Sequence, residues 1–166
     1  MNTAPNIRRI LVAYDFSETT AYALSYARNI AEKFGARITV VHVTDPDVFT
    51  YPDGLLANVE GTAETERVAT EELERVVETS RAANVEIDSA LRRGSAWKAI
   101  TTLASEIRAD LIVMGTHGRR GIARATLGSV AETVVRVSTC PVLTVHLPDP
   151  RAARVGTAAQ AAGARS

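Results

Sequence analysis

Short apolar, β-branched runs alternate along this chain with segments whose apolar residues recur at helical spacing. That alternation restricts the fold more than any other feature. Ile7 to Tyr14, Arg37 to Val43, Val85 to Leu91, Leu111 to Met114 and Val142 to Leu147 read as five strands. Between the first two, Ala21, Leu24, Ala27, Ile30 and Ala31 mark one face of a helix, which Ser17 is placed to cap and Gly35 to end after Phe34. Thr62 to Ala83 reads as a second helix, with Ala69, Leu73, Val76 and Val77 on its apolar face and its many Glu and Arg residues on a solvated one. Ser95 is placed to cap a third helix running through Ile107, and Ala131 to Val137 form a fourth helical pattern. Strands separated by helices pair in parallel through crossovers. The expected fold is α/β, a doubly wound five-stranded parallel sheet with helices on both faces.

The chain has 166 residues, which suits one domain with a sizeable core. Its formal net charge is zero, so broad electrostatic attraction to nucleic acid or to an anionic membrane surface is not expected. No apolar stretch approaches the length of about 18 residues that a membrane-spanning helix needs. Met1 to Asn6 is short and polar and does not resemble a signal peptide, so the cytoplasm is the expected compartment. Cys140 is the one cysteine, which rules out an intramolecular disulfide; ahead of Pro141 at a strand start it reads as a small buried hydrophobe. Trp97, two residues after Ser95, reads as packing in the core or a groove. Thr44 to Gly61, with two prolines, three aspartates and two glycines, reads as a long loop. Residues 5–147 form the expected domain, and 148–166, rich in Ala, Arg and Gly without an apolar period, the expected mobile tail.

The residues with most chemical content follow the fourth strand, with the spacing Gly115-x2-Gly118-x9-Gly128-Ser129. Glycines at a strand end let backbone approach a bulky anion. A Gly-Ser pair opening a helix supplies free N–H groups, a hydroxyl and the positive end of the helix dipole. These are the parts of a phosphate cradle. His117, Arg119, Arg120 and Arg124 lie in or beside it, and arginine forks suit phosphate as well as solvent. The segment is not a Walker A loop, because the chain contains no Gly-Lys, and the glycines do not fit Gly-x-Gly-x-x-Gly. His42, His117 and His146 lack metal-ligand spacing, and no Gly-x-Ser-x-Gly nucleophile signature occurs. No catalytic residue is assigned.

This glycine pattern, after a strand ending Ile-Val-Met, resembles that of the ATP-binding universal stress proteins. Ile10 to Glu18 is similar to their first strand and turn, Val41-His42-Val43 to the end of their second strand, and Cys140 to Val145 to their last. The resemblance covers roughly residues 5–147. It implies strand order 3-2-1-4-5, in the Rossmann-like arrangement of the adenine nucleotide alpha hydrolases. Ligands bind such sheets at the carboxyl ends where the order reverses, here between strands 1 and 4, where Asp15 and Gly115 stand.

The resemblance also assigns roles. Asp15 would lie near the nucleoside or its metal-linked phosphates, while as a residue it also suits a cap for the turn into the first helix. Val43 and Met114 would flank adenine, and core packing is their plain role. Ala13 falls in the pocket wall where some relatives carry proline. Gly115, Gly118, Gly128, Ser129 and Val130 would meet ribose and phosphate, with Arg119 beside them, and Ser129 equally suits a helix cap. The implied ligand is ATP or another adenine nucleotide, with Mg²⁺ or Mn²⁺ held only through the phosphates. The implied protein is a regulatory stress-response homodimer paired through Val142 to Leu147, with a protein partner the sequence does not name. Two other readings fit the same residues: a slow ATPase or self-phosphorylating enzyme, and an interaction module that does not depend on nucleotide.

Overall fold

The computed structural model describes residues 6–44, 62–81, 84–116 and 127–148. Its elements are β1 (Arg9–Ala13), α1 (Glu18–Phe34), β2 (Arg37–Thr44), α2 (Thr62–Ser80), β3 (Ile87–Arg93), α3 (Ala96–Glu106), β4 (Leu111–Gly115), α4 (Ser129–Val137) and β5 (Val142–Val145). The five strands form one sheet in the order β3-β2-β1-β4-β5, and every neighbouring pair is parallel. This is the doubly wound sheet expected from the alternation. Most of the expected loop over Thr44 to Gly61 and nearly all of the expected tail lie outside the described residues.

Local chemistry explains the first helix at both ends. The Ser17 hydroxyl accepts the Thr20 N–H at 3.3 Å, as an N-cap should. Gly35 ends the helix in the left-handed region, at φ 66° and ψ 35°, and donates its N–H to the Ala31 carbonyl. At the third helix Ser95 holds the N-cap position, but its side chain makes no capping hydrogen bond. The second helix ends at Ser80.

Several strand limits differ from the expected ones because partners, not propensity, set them. β1 starts at Arg9 rather than Ile7. Asp110 Oδ2 takes the N–H groups of both Arg8 and Arg9 at 2.9 Å, so the ladder to β4 opens only at Ile10 and Leu111. β2 and β3 support each other out to Thr44 and Arg93, beyond the expected ends. β3 begins at Ile87, not Val85. β5 stops at Val145, two residues short of Leu147. Its partner strand ends at Gly115, and the Thr116 N–H donates to the Val145 carbonyl at 2.8 Å as the last rung.

Alternate residues of each central strand face opposite layers, and both layers are packed. Ile10, Val12, Ile38, Val40 and Val113 join Ala23, Leu24, Ala27, Leu73 and Val77 under α1 and α2. Leu11, Ala13, Val41, Ile112 and Met114 join Ile100, Leu103, Ala131 and Val134 under α3 and α4. This double burial is why the strands read as continuous apolar runs instead of alternating ones. At the surface of α2, Arg67 bridges Glu64 and Glu71, an exposed pairing that contributes little to stability.

Leu11 has no exposed surface, whereas Val135 on α4 is 47% exposed. Leu11→Ala should therefore cost about 2–5 kcal/mol in urea unfolding, and Val135→Ala no more than about 0.5 kcal/mol. Equal costs would contradict the two-layer core.

Candidate functional site

The order of strands reverses at β1. The chain leaves β1 through α1 to β2 on one side, and returns from β3 through α3 to β4 on the other. Ala13 pairs with Val41 and with Met114, so Tyr14–Asp15 and Gly115–Thr116 leave the sheet side by side at its carboxyl end. Neighbouring connections here run to opposite faces, which opens a crevice.

Asp15 sits at the mouth of that crevice in a local network. Its Oδ1 accepts the Ser17 N–H at 3.0 Å and lies 2.9 Å from the Thr20 hydroxyl, which is also 3.0 Å from the Ser17 carbonyl. Thr20 is buried, so these bonds satisfy a hydroxyl that water does not reach. The expected capping role of Asp15 thus holds in a modified form. Ser17 is the N-cap, and Asp15 fixes the turn that delivers it.

On the other side of the crevice, Gly115 ends β4 against the first turn of α1. A Cβ placed there would come within 2.9 Å of Thr19 Cγ2 and 3.3 Å of Thr20 Cγ2. Glycine is therefore needed at this position for packing on α1, a different reason from the ligand approach expected for it. The Gly128 N–H donates to the Thr116 carbonyl at 2.8 Å, which brings the start of α4 to the end of β4. Gly128 is the N-cap of α4, at φ −61° and ψ 150°, and its carbonyl accepts the Glu132 N–H. Any residue adopts that φ, so an unusual backbone angle does not explain the glycine. Ser129 is the first residue of the helix and not its cap, which corrects the capping role the sequence suggested. Gly118 and Arg119, with His117, Arg120 and Arg124, lie outside the described residues.

Ala13, Val43, Met114 and Val130 come together on the α3 and α4 side of the sheet. Met114 is 4% exposed and Ala13 8%, so both form a floor. Val43 and Val130 are half-buried and present apolar surface above it. The first N–H groups of α4 have no intrahelical partners, and the positive end of its dipole faces the same end of the sheet. An apolar wall beside a helix N-terminus suits a ligand with a flat apolar part and an anionic part.

Sequence reasoning missed a cluster behind Asp15. Phe16 is left-handed, at φ 64°. A bulky residue there costs on the order of 1–3 kcal/mol. Its ring meets Tyr14 edge-on at 5.5 Å and His42 at 4.6 Å between centroids. The His42 Nδ1–H donates to the Tyr14 carbonyl at 2.7 Å. Burial, and then the charge of Asp15, raise the Tyr14 phenol above its ordinary pKa. The one available signal was the tight strand-to-helix junction Asp15-Phe16-Ser17, which lacks a glycine. Two other expectations shift. Trp97 is 39% exposed on the first turn of α3 and is not a core residue. Cys140 is half-buried against the α3 and α4 layer, with Sγ 3.6 Å from the Ser138 hydroxyl.

Among the described residues, no group of three or more His, Cys, Asp or Glu side chains is arranged to hold a metal ion. No helix among them is long and apolar enough to cross a membrane.

Comparison with known proteins gives the chain its family. The model of the universal stress protein family matches residues 6–146. A universal stress protein of Methanocaldococcus jannaschii is 35% identical over 146 residues, spanning 85% of this chain and 83% of the relative. The structure of the universal stress protein UspA from Lactobacillus plantarum superposes with a TM-score of 0.65 at 26% identity, covering 86% of this chain and 99% of that one. A universal stress protein solved in complex with cAMP superposes with a TM-score of 0.55 at 27% identity, with 86% and 99% coverage. The chain belongs to the universal stress protein family.

The contact between Gly115 and α1 gives a test that needs no ligand. Gly115→Ala should destabilise the protein by about 1–3 kcal/mol, because Thr19 and Thr20 are stiff at χ1 and Thr20 is held by Asp15. Thermal unfolding measures it, and an unchanged midpoint would contradict the close approach.

Proposed function

We propose that this universal stress protein binds an adenine nucleotide, ATP in the first instance, in the crevice between β1 and β4. One observation carries the proposal. Ala13, Val43, Met114 and Val130 share one apolar face at the carboxyl end of the sheet, next to the N-terminus of α4. Adenine would lie against Val43 and Val130, above the floor made by Ala13 and Met114. Ribose and phosphates would extend toward Gly128, Ser129 and the first N–H groups of α4. The cAMP complex of a related family member supports an adenine nucleotide as the ligand class.

The donor set fits such a ligand. The Ser129 hydroxyl and the helix N–H groups are donors for phosphate oxygens. Asp15 is an acceptor for a ribose hydroxyl or for a water on a phosphate-bound Mg²⁺ or Mn²⁺ ion. Such an ion supplies positive charge that offsets repulsion between phosphate and the Asp15 carboxylate. Gly118, which belongs to the glycine pattern, and Arg119 beside it are proposed as further phosphate contacts. The proposed role is regulatory. Nucleotide occupancy would bias the segment between Gly115 and Gly128, and so change what the protein presents to a partner, provided its two states differ in nucleotide affinity.

A homodimer through β5 belongs to the same proposal. β5 is an edge strand, and α4, which packs beside it, exposes Val135 and Val137. Apolar surface next to an open strand edge calls for a cover, and a second copy would supply one.

Gly128→Val tests the site with little interference from folding. Its backbone angles admit valine, so the loss of stability should stay near that of a weakened cap, about 1 kcal/mol. A branched side chain at the helix entrance should nevertheless weaken ATP by at least about tenfold, since each blocked hydrogen bond to a charged group is worth roughly 1.5–3 kcal/mol. Calorimetric titration and the thermal midpoint give the two numbers. Unchanged ATP affinity in a folded variant would overturn the phosphate site.

A further inference from the structure

His42 holds both chain neighbours of Asp15. Its Nδ1–H donates to the carbonyl of Tyr14 on one side of Asp15, at 2.7 Å. Its ring packs on Phe16 on the other side, with centroids 4.6 Å apart. The Phe16 ring also meets the Tyr14 ring edge-on, at 5.5 Å and 89°, so it packs on both Tyr14 and His42. Phe16 stays left-handed between these two contacts, at φ 64°, where glycine would sit without strain. The turn could be made more cheaply by glycine, yet the chain places an aromatic residue there. Strained backbone that the surroundings over-determine is a sign of positioning.

The three rings lie on the α1 and α2 side of the sheet. Tyr14 and Phe16 pack against that layer, while Ala13, Val43 and Met114 belong to the opposite one. The rings therefore do not line the proposed base pocket. They act on the junction that carries Asp15, whose Oδ1 is held in turn by the Ser17 N–H and the Thr20 hydroxyl. We infer that Phe16 and His42 are positioning residues: they clamp the backbone on either side of Asp15 and so fix its carboxylate at the mouth of the nucleotide crevice. This inference rests on the nucleotide reading of that crevice. Its physical content is preorganisation, in which order already present in the free protein need not be created on binding.

The clamp separates affinity from stability. Phe16→Gly relieves the left-handed strain but gives up the ring's packing on Tyr14 and His42, so its thermal midpoint should fall less than loss of an unstrained packed aromatic would lower it. Its ATP affinity, measured below that midpoint, should fall by roughly tenfold, because the backbone after Asp15 is no longer clamped although Ser17 and Thr20 still hold its carboxylate. Phe16→Tyr keeps the ring and should bind within about twofold of the wild type. A double-mutant cycle identifies the route. Asp15→Ala weakens ATP, and adding Phe16→Gly to it should cost no more, because Phe16 acts through Asp15. The four affinities come from calorimetric titration with Mg·ATP on the full chain. Wild-type affinity in Phe16→Gly, or losses that add fully in the double variant, would overturn the inference. A wild type that binds no ATP would overturn the nucleotide reading and this inference together. A wild type that binds ATP alongside a Phe16→Gly variant that binds it equally would overturn the clamp alone.

Discussion

Burial of the sheet on both faces is the constraint from which the rest follows. Ile10, Leu11 and Val12 of the central strand have no exposed surface, because α1 covers one face and α3 with α4 the other. A parallel sheet covered in this way needs a helix in every connection. Consecutive connections can serve both faces only if the winding reverses somewhere. Here it reverses at β1, and the reversal leaves open the end of the sheet where Asp15 and Thr116 emerge. The crevice is thus a by-product of covering the core.

The two sides of the crevice are mechanically joined. Gly115 at the end of β4 packs on Thr19 and Thr20 of α1, and Thr20 in turn holds Asp15 at the end of β1. Thr116 bonds to Val145 on one side and Gly128 on the other, so β5 and the start of α4 share the same strand end. A ligand that touched Asp15 and Ser129 would therefore meet parts of one connected framework. The edge strand β5 sits one hydrogen bond from that framework.

The five strands and their parallel order were legible because runs such as Ile10 to Ala13 and Leu111 to Met114 are apolar on both faces. The strand limits were less so. Asp110 delays β1 and the end of β4 truncates β5, and both effects arise from residues distant in the chain. At the site, the shared apolar face of Ala13, Val43, Met114 and Val130 was visible in the sequence only through the family resemblance. Gly115 is expected to let a ligand approach, whereas the close neighbour in the structure is α1. Ser129 was expected to suit a cap, a position that Gly128 fills. The Tyr14, Phe16 and His42 cluster stayed hidden because it joins β2 to the turn after β1 and needs a left-handed phenylalanine, which sequence preferences argue against.

The central claim is that the apolar face beside α4 is an adenine site. Its most direct test is calorimetric titration of the unmodified protein with Mg·ATP and, in parallel, with Mg·GTP. The two ligands share ribose and phosphates and differ only in the base edge. The account predicts saturable binding of one ATP per chain and an affinity for GTP weaker by about tenfold or more, the scale of one mismatched polar group against a shaped pocket. Equal affinities, or no binding of either nucleotide, would contradict it.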